Sequence, residues 1–243
     1  MIVKCTVAYD GQNYAGWQKQ INALGIQTII EEALEKIHKR KTDVVASGRT
    51  DAKVHALGQV FHFEADEAIE PSRYVPALNA LLPLDIRILD AQAMPEDFHA
   101  RFSCKSKRYM YIATYDRYDP FAYHYKGIIY QKLDMDAMVK GACYLIGEHD
   151  FTSFSNGRID PRKPRVRNIK AITMEEKGKD IYFIFDGNGF LRYQVRMMVQ
   201  TLIEVGRHSI APEKVKEILD QRDKEACRYN APAQGLYLVE VRY

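Results

Sequence analysis

The chain has 243 residues, 47% of them hydrophobic and 28% charged, with a formal net charge of +3. That is ample for a sizeable core and fits an ordinary soluble globular protein, and so mild a basicity does not by itself indicate a nucleic-acid binder. The N-terminus opens directly on a strand-like segment without an apolar leader and no run is long enough to span a membrane, so no membrane partner and a cytoplasmic, reducing setting are expected. Cys5, Cys104, Cys143 and Cys227 lie far apart with no CxxC pair, and the seven histidines show no HExxH spacing, which argues against a metal site and a disulfide framework.

Val3–Tyr9 alternates and reads as a strand, ended by the turn signal Asp10-Gly11. Ile26, Ile29, Ile30, Ala33, Leu34 and Ile37 recur at helical spacing, with Thr28 and Glu31 forming a capping box. Strands follow at Thr42–Ala46 and Gln59–Phe63, then a helix at Pro71–Leu82 and a strand at Ile86–Ala93. The second half repeats this β-α-β-β-α-β order. Tyr109–Tyr115 is a strand, and Met135–Ile146 a helix capped by Asp134. Arg167–Glu175 and Ile181–Asp186 make a hairpin around Lys177-Gly178, and Leu191–Val205 is a helix. An extra helix, Pro212–Gln221, precedes a last strand, Leu236–Val241. The expected class is α+β, with two ferredoxin-like halves, residues 1–102 and 103–243, whose sheets join and leave a cleft between them.

Charge is unevenly placed. The stretch from Arg101 to Arg108 holds Arg101, Lys105, Lys107 and Arg108 with no acid. The stretch from Arg158 to Lys170 holds Arg158, Arg162, Lys163, Arg165, Arg167 and Lys170 against Asp160 alone. Acids gather at Glu31-Glu32 and from Glu64 to Glu70. Such asymmetry suits one positive face toward a polyanion, the alternative being two solvated charge runs. Sixteen tyrosines stand against one tryptophan, and some interleave with cations, as in Lys107-Arg108-Tyr109-Met110-Tyr111. Aromatic faces beside cations suit stacked bases, although half-buried strand tyrosines account for most of them.

The densest chemistry lies in Ser47-Gly48-Arg49-Thr50-Asp51-Ala52-Lys53-Val54-His55-Ala56, which puts a base, a hydroxyl and an acid in consecutive positions between two strands. A carboxylate beside an arginine is favoured in its ionised form and can serve as nucleophile or base. The bland alternative is a turn-capping aspartate.

Taken with Tyr9-Asp10-Gly11, Gly16-Trp17-Gln18, Asp97-Phe98-His99-Ala100-Arg101-Phe102, Phe190-Leu191, Val195-Arg196 and Gly235-Leu236-Tyr237-Leu238, that segment resembles the tRNA pseudouridine synthase A family nearly end to end. The resemblance implies a pseudouridine synthase fold with a central mixed, mainly antiparallel sheet and a catalytic cleft. It implies conversion of uridine to pseudouridine in the tRNA anticodon stem-loop, at the positions conventionally numbered 38 to 40, without a cofactor, by a homodimer. Asp51 takes the place of the catalytic carboxylate and Arg196 that of its cationic partner. Tyr109 matches the tyrosine that packs on the target uracil, Arg49 the arginine that fills the place of the flipped base, and Leu236 lines an apolar wall. Lys53 stands where the family usually has glycine, and Gln194 and Gln200 where it usually has methionine and glycine. Lys53, Arg101, Lys105, Arg165 and Arg167 are the residues expected along the RNA backbone. A structured-RNA-binding or RNA-chaperone paralogue without chemistry, and an unrelated ferredoxin-like metabolic enzyme, are the competing readings. The retained Asp51, Tyr109 and Arg196 favour catalysis over the first, and the paired basic segments weigh against the second.

Overall fold

Alternation sets the first strand. In β1, Ile2–Tyr9, the side chains of Val3, Cys5, Val7 and Tyr9 are buried and their neighbours are not. The structure, a computed structural model, describes residues 1–66, 68–155 and 164–243. Its contacts divide the chain into two compact units, Met1–Lys105 with Tyr237–Tyr243, and Ser106–Leu236.

In the first unit β1 is followed by α1, Ile26–His38, which buries Ile26, Ile30, Ala33 and Leu34 on the face its periodicity marks. The expected capping box does not form. Gly25 is the N-cap, no side chain caps the helix, and the Thr28 hydroxyl is buried without a partner. Glu31 instead binds Lys19 Nζ at 3.1 Å, Gln27 Nε2 at 2.7 Å and the Val44 amide at 3.3 Å. The backbone explains the switch: a side chain at residue 25 would put its Cβ 2.4 Å from the Gln18 carbonyl oxygen, so only glycine fits where a capping residue would stand.

The remaining elements of this unit are β2 (Val45–Ala46), β3 (His55–Glu64), α2 (Tyr74–Leu81, entered by a 3₁₀ turn at Pro71–Arg73) and β4 (Ile86–Met94). Both β3 and β4 pair antiparallel with β1, and β2 pairs antiparallel with β3, so the order is β4-β1-β3-β2, that of the ferredoxin-like unit. The last strand of the chain, β10 (Leu236–Arg242), runs parallel to β3 with Tyr237 opposite His55. Its end is tied to this unit by the Lys105 amide bonding the Arg242 carbonyl at 2.8 Å and by Tyr243 Oη donating to the Ala100 carbonyl at 2.7 Å. The final strand therefore does not close off the second half as a separate block of sequence.

The second unit follows the same path. Its elements are β5 (Ser106–Thr114), β6 (Gly127–Ile128), α3 (Met135–Cys143), β7 (Gly147–Asp150), β8 (Val166–Lys177), β9 (Asp180–Gly187), α4 (Gln194–Gly206) and α5 (Glu213–Gln221). The antiparallel order is β5-β9-β8-β7, with β6 added parallel to β5. Strand pairing in each unit is thus mixed and mainly antiparallel. Asp134 does cap α3, accepting from the Ala137 amide at 2.9 Å, and α3 packs on α4 and α5 through Gly141, set against Leu202 and Val215. Two short strands, β6 and β7, have no counterpart in the sequence pattern, because Gly147-Glu148-His149-Asp150 lacks apolar alternation and β6 has two residues. No helix among the described residues is long and apolar enough to cross a membrane.

The unpartnered Thr28 hydroxyl gives a direct check on the N-terminus of α1. Thr28→Val should leave stability unchanged or raise it by about 0.5–1 kcal/mol in urea unfolding, since it removes a buried polar atom without a partner. A genuine cap would instead cost about 0.5–2 kcal/mol.

Candidate functional site

Residues 47–54 connect β2 to β3 and carry Arg49, Asp51 and Lys53 on irregular backbone. Such backbone must find hydrogen-bond partners outside itself. The fully buried Gln59 of β3 supplies several: its Oε1 accepts from Ser47 Oγ at 2.7 Å and from the Val60 amide at 3.1 Å, and its Nε2 donates to the Gly48 carbonyl at 3.0 Å. Thr50 Oγ1 lies 2.7 Å from Tyr9 Oη, inside the core. Burial pushes the Tyr9 phenol far above its ordinary range, so it serves as a neutral hydroxyl.

The opening motif closes the other side of the loop. The Trp17 amide donates to the Thr50 carbonyl at 3.1 Å and the Lys53 amide to the Tyr14 carbonyl at 3.3 Å. Gly16, at φ +97°, lies so close that a Cβ there would be 2.5 Å from the Thr50 oxygen. Within the loop the Val54 amide returns to the Asp51 carbonyl at 3.2 Å. Next in the chain, buried His55 stacks on Tyr237 with centroids 4.7 Å apart. Its Nδ1 lies 3.1 Å from the Gly11 amide and 3.0 Å from Asp10 Oδ1, two contacts that ask for opposite protonation of that nitrogen.

Asp51 is half-buried, while Arg49 and Lys53 are exposed. Lys53 has φ +65°, so the position where the resembled family keeps glycine does require the left-handed backbone. Among the described residues its ammonium makes no ion pair.

In the second unit, Tyr109 on β5 is 8% exposed and meets Phe190 edge to face at 5.1 Å. Two residues on, Tyr111 is held so tightly that a Cβ at Gly127 or Gly235 would come within 2.2 or 2.5 Å of its ring atoms. Its buried hydroxyl has no hydrogen-bond partner, and burial raises its pKa against the lowering charge of Arg196. Arg196, on α4, is half-buried. Its Nε donates to the Ala231 carbonyl at 2.7 Å, and its guanidinium lies 5.0 Å from the centroid of the Tyr193 ring. Leu236 is 5% exposed.

The two glutamines behave differently. Gln200 bonds Glu204 one turn on, at 2.7 Å. Gln194 is fully buried: its Oε1 accepts from the Leu191 amide at 2.8 Å and its Nε2 has no partner.

Of the residues expected along RNA, Arg101 and Lys105 are exposed. Arg165 is half-buried, 3.5 Å from Thr152 Oγ1, and Arg167 folds back onto the carbonyls of Pro164 and Val166. The acid-free look of the first basic stretch is misleading in space, since Arg108 grips Asp186 with contacts of 2.8–3.2 Å. Arg158, Asp160, Arg162 and Lys163 lie outside the described residues. Among the described residues no group of three or more His, Cys, Asp or Glu side chains is arranged to hold a metal ion.

A family profile described as tRNA pseudouridine synthase matches residues 6–103 and 142–243. The chain belongs to that family. It is 45% identical over 241 residues to the tRNA pseudouridine synthase A of Exiguobacterium sp., covering 99% of this chain and 97% of that protein. It is 42% identical over 240 residues to that of Exiguobacterium sibiricum, covering 99% and 96%, and 44% identical over 246 residues to that of Bacillus pumilus, covering 100% and 99%. Among solved structures, a chain of a Cbf5-Nop10-Gar1 complex aligns with a TM-score of 0.37 and 14% identity over 95% of this chain and 56% of that one, a likeness too slight to carry an assignment.

Within this synthase-family chain, the braces of the loop are what sequence reasoning passes over. Gln59 is simply one polar residue in a strand, and only the structure gives it three partners. Gln59→Leu should destabilise the protein by about 2–4 kcal/mol, because the Gly48 carbonyl and Ser47 hydroxyl lose their buried partners. Chemical unfolding measures this, and a loss under about 1 kcal/mol would show that water replaces the amide.

Proposed function

We propose that this protein isomerises uridine to pseudouridine in the tRNA anticodon stem-loop, at the positions conventionally numbered 38 to 40, with Asp51 as the catalytic carboxylate. The observation that carries the reading is the Gly48-Arg49-Thr50-Asp51-Ala52 loop, seated on Gly16-Trp17, Tyr9 and Gln59 by the bonds above. A fixed loop holds a carboxylate in one attack geometry, which is where most of an enzyme's entropic advantage lies.

The reaction breaks the N1–C1′ bond, turns the uracil, joins C5 to C1′, removes the proton from C5 and protonates N1. No group leaves and no oxidation state changes, so the chain's own residues suffice. Asp51 either attacks the sugar or takes a proton from it, and both routes need the same ionised oxygen. In this reading Arg196 favours that ionised form. The Tyr109 ring packs on the uracil, where stacking contributes about 1–3 kcal/mol. Arg49 fills the place the base leaves, and Leu236 keeps the base's surroundings apolar. Lys53, Arg101, Lys105, Arg165 and Arg167 meet phosphates, which positions the RNA without selecting its sequence. A cytoplasmic homodimer completes the reading.

Unmodified anticodon stem-loop RNA, incubated with the protein and mapped for pseudouridine by position, tests it. Pseudouridine within the stem-loop positions is expected, and tight binding without any product would instead favour the non-catalytic RNA-binding reading. Asp51→Asn should bind the same RNA while its single-turnover rate falls at least ~100-fold. A smaller loss would remove Asp51 from the chemistry.

Lys53→Gly should show effects of opposite sign. Relief of a left-handed lysine, a strain of about 1–2 kcal/mol, should raise the melting temperature by about 2–8 °C. Loss of one phosphate contact should weaken RNA binding and lower the salt slope by about one, leaving the modified position unchanged. An unchanged salt slope would make Lys53 a solvated surface residue.

A further inference from the structure

Among the described residues five non-glycine residues have a left-handed backbone: Lys39, Lys53, Tyr193, His208 and Arg222. Three of them follow helices. Lys39 and Arg222 are the C-caps of α1 and α5, and His208 lies just past the end of α4. That conformation is routine there, because it lets exposed amides bond the last carbonyls. Lys53 and Tyr193 have no such excuse. Lys53 follows Asp51 by two residues and Tyr193 precedes Arg196 by three.

A bulky aromatic residue at φ +67° is an outlier. Tyr193 occupies the N-cap of α4, where Ser, Thr, Asp or Asn would supply a capping oxygen, and it makes no cap bond. Its aromatic ring is used instead. The guanidinium carbon of Arg192 lies 4.9 Å from the ring centroid and that of Arg196 lies 5.0 Å away. Arg192 Nη2 also donates to the Tyr193 hydroxyl at 3.2 Å. Arg192 precedes α4 and Arg196 lies in its first turn, yet both guanidinium groups are held against the same ring. The electron-rich ring gives both cations an attractive surface. Arg196 is further tied by its Nε to the Ala231 carbonyl at 2.7 Å. Backbone strain persists only where the surroundings enforce it, and it gathers at working sites.

We propose that Tyr193 is a positioning residue: its ring, turned into place by the left-handed backbone, seats the Arg196 guanidinium for the isomerisation. This rests on the function proposed above. It adds a residue outside the reacting groups whose aromatic ring decides where Arg196 sits.

The test compares Tyr193→Asn, which tolerates the left-handed backbone but lacks the ring, with Tyr193→Phe, which keeps the ring but loses the hydroxyl. One readout is independent of activity: the solvent-exchange rate of the Arg196 Nε proton, seen by nitrogen-15 NMR and assigned by its loss in Arg196→Lys. The other is the single-turnover rate at saturating stem-loop RNA together with the RNA concentration for half-maximal rate. In Tyr193→Asn the proton should exchange at least about tenfold faster and the saturating rate fall at least about tenfold, with half-saturation moving less than about threefold. Its melting temperature should be equal or higher. Tyr193→Phe should stay within about threefold of wild type in both readouts. Wild-type exchange and rate in Tyr193→Asn would overturn the proposal, as would a Tyr193→Phe defect equal to that of Tyr193→Asn. If the wild-type protein makes no pseudouridine while the proton exchange still accelerates in Tyr193→Asn, the isomerase reading fails and the seating stands. Unchanged exchange in an active enzyme removes the seating and leaves the isomerase.

Discussion

The loop that presents Asp51 is neither strand nor helix, and its backbone polar groups therefore lack the partners that a ladder or a helix would supply. Much of the first unit answers that constraint. Thr50 alone draws on two segments, through its hydroxyl to Tyr9 and its carbonyl to Trp17. Gly16 is needed because the backbones approach too closely for any Cβ. Gln59 is an amide in the interior of a strand, where an apolar residue would pack as well but would leave Gly48 and Ser47 unsatisfied. Each of these is individually modest, on the order of 1 kcal/mol net. Together they convert a flexible turn into a fixed one.

The legible parts of the fold were those carried by repeated apolar spacing. β1, α1, α2, β4, the β8–β9 hairpin, α4 and α5 all follow from period-two or helical patterns, and Asp134 was readable because a carboxylate before an apolar run is a capping signal. Thr28 and Glu31 had the same local signature and failed. What overrode it was not local: Gly25 is pressed on Gln18, and Glu31 is claimed by Lys19, Gln27 and the Val44 amide. Likewise, Arg108 looks like a free cation in the sequence because Asp186 is distant along the chain and opposite it across the β5–β9 ladder. Asp51 is visible in the sequence as a carboxylate beside Arg49 between two strands, but its choice over a turn-capping role, and the choice of Tyr109 and Arg196, come through family motifs.

The two unusual left-handed residues mark different ways of holding strain. The need for it at Lys53 was visible beforehand, because glycine is what the family motif offers there. Its ammonium makes no ion pair among the described residues, and what holds its backbone is the bond from the Lys53 amide to the Tyr14 carbonyl at 3.3 Å. Tyr193 carried no warning in the sequence, and its cost is met locally by two cations on one ring.

The turn before α4 explains why that arrangement needs Gln194. The Gln194 amide donates to the Leu191 carbonyl at 3.2 Å, while the Gln194 side chain takes the Leu191 amide at 2.8 Å. The two bonds close residues 191–194 into a reciprocal turn, and Tyr193 sits inside it at φ +67°. A methionine at 194, as the family pattern usually has, offers no acceptor for the Leu191 amide. The amide is not free of cost, because its Nε2 is buried without a partner, a penalty of about 1–3 kcal/mol. A capping residue at 193 would stabilise the helix more simply, but it would have no ring to place against Arg192 and Arg196. The start of α4 thus gives up a conventional cap and leaves a buried donor unmet, and what it gains in exchange is a fixed guanidinium.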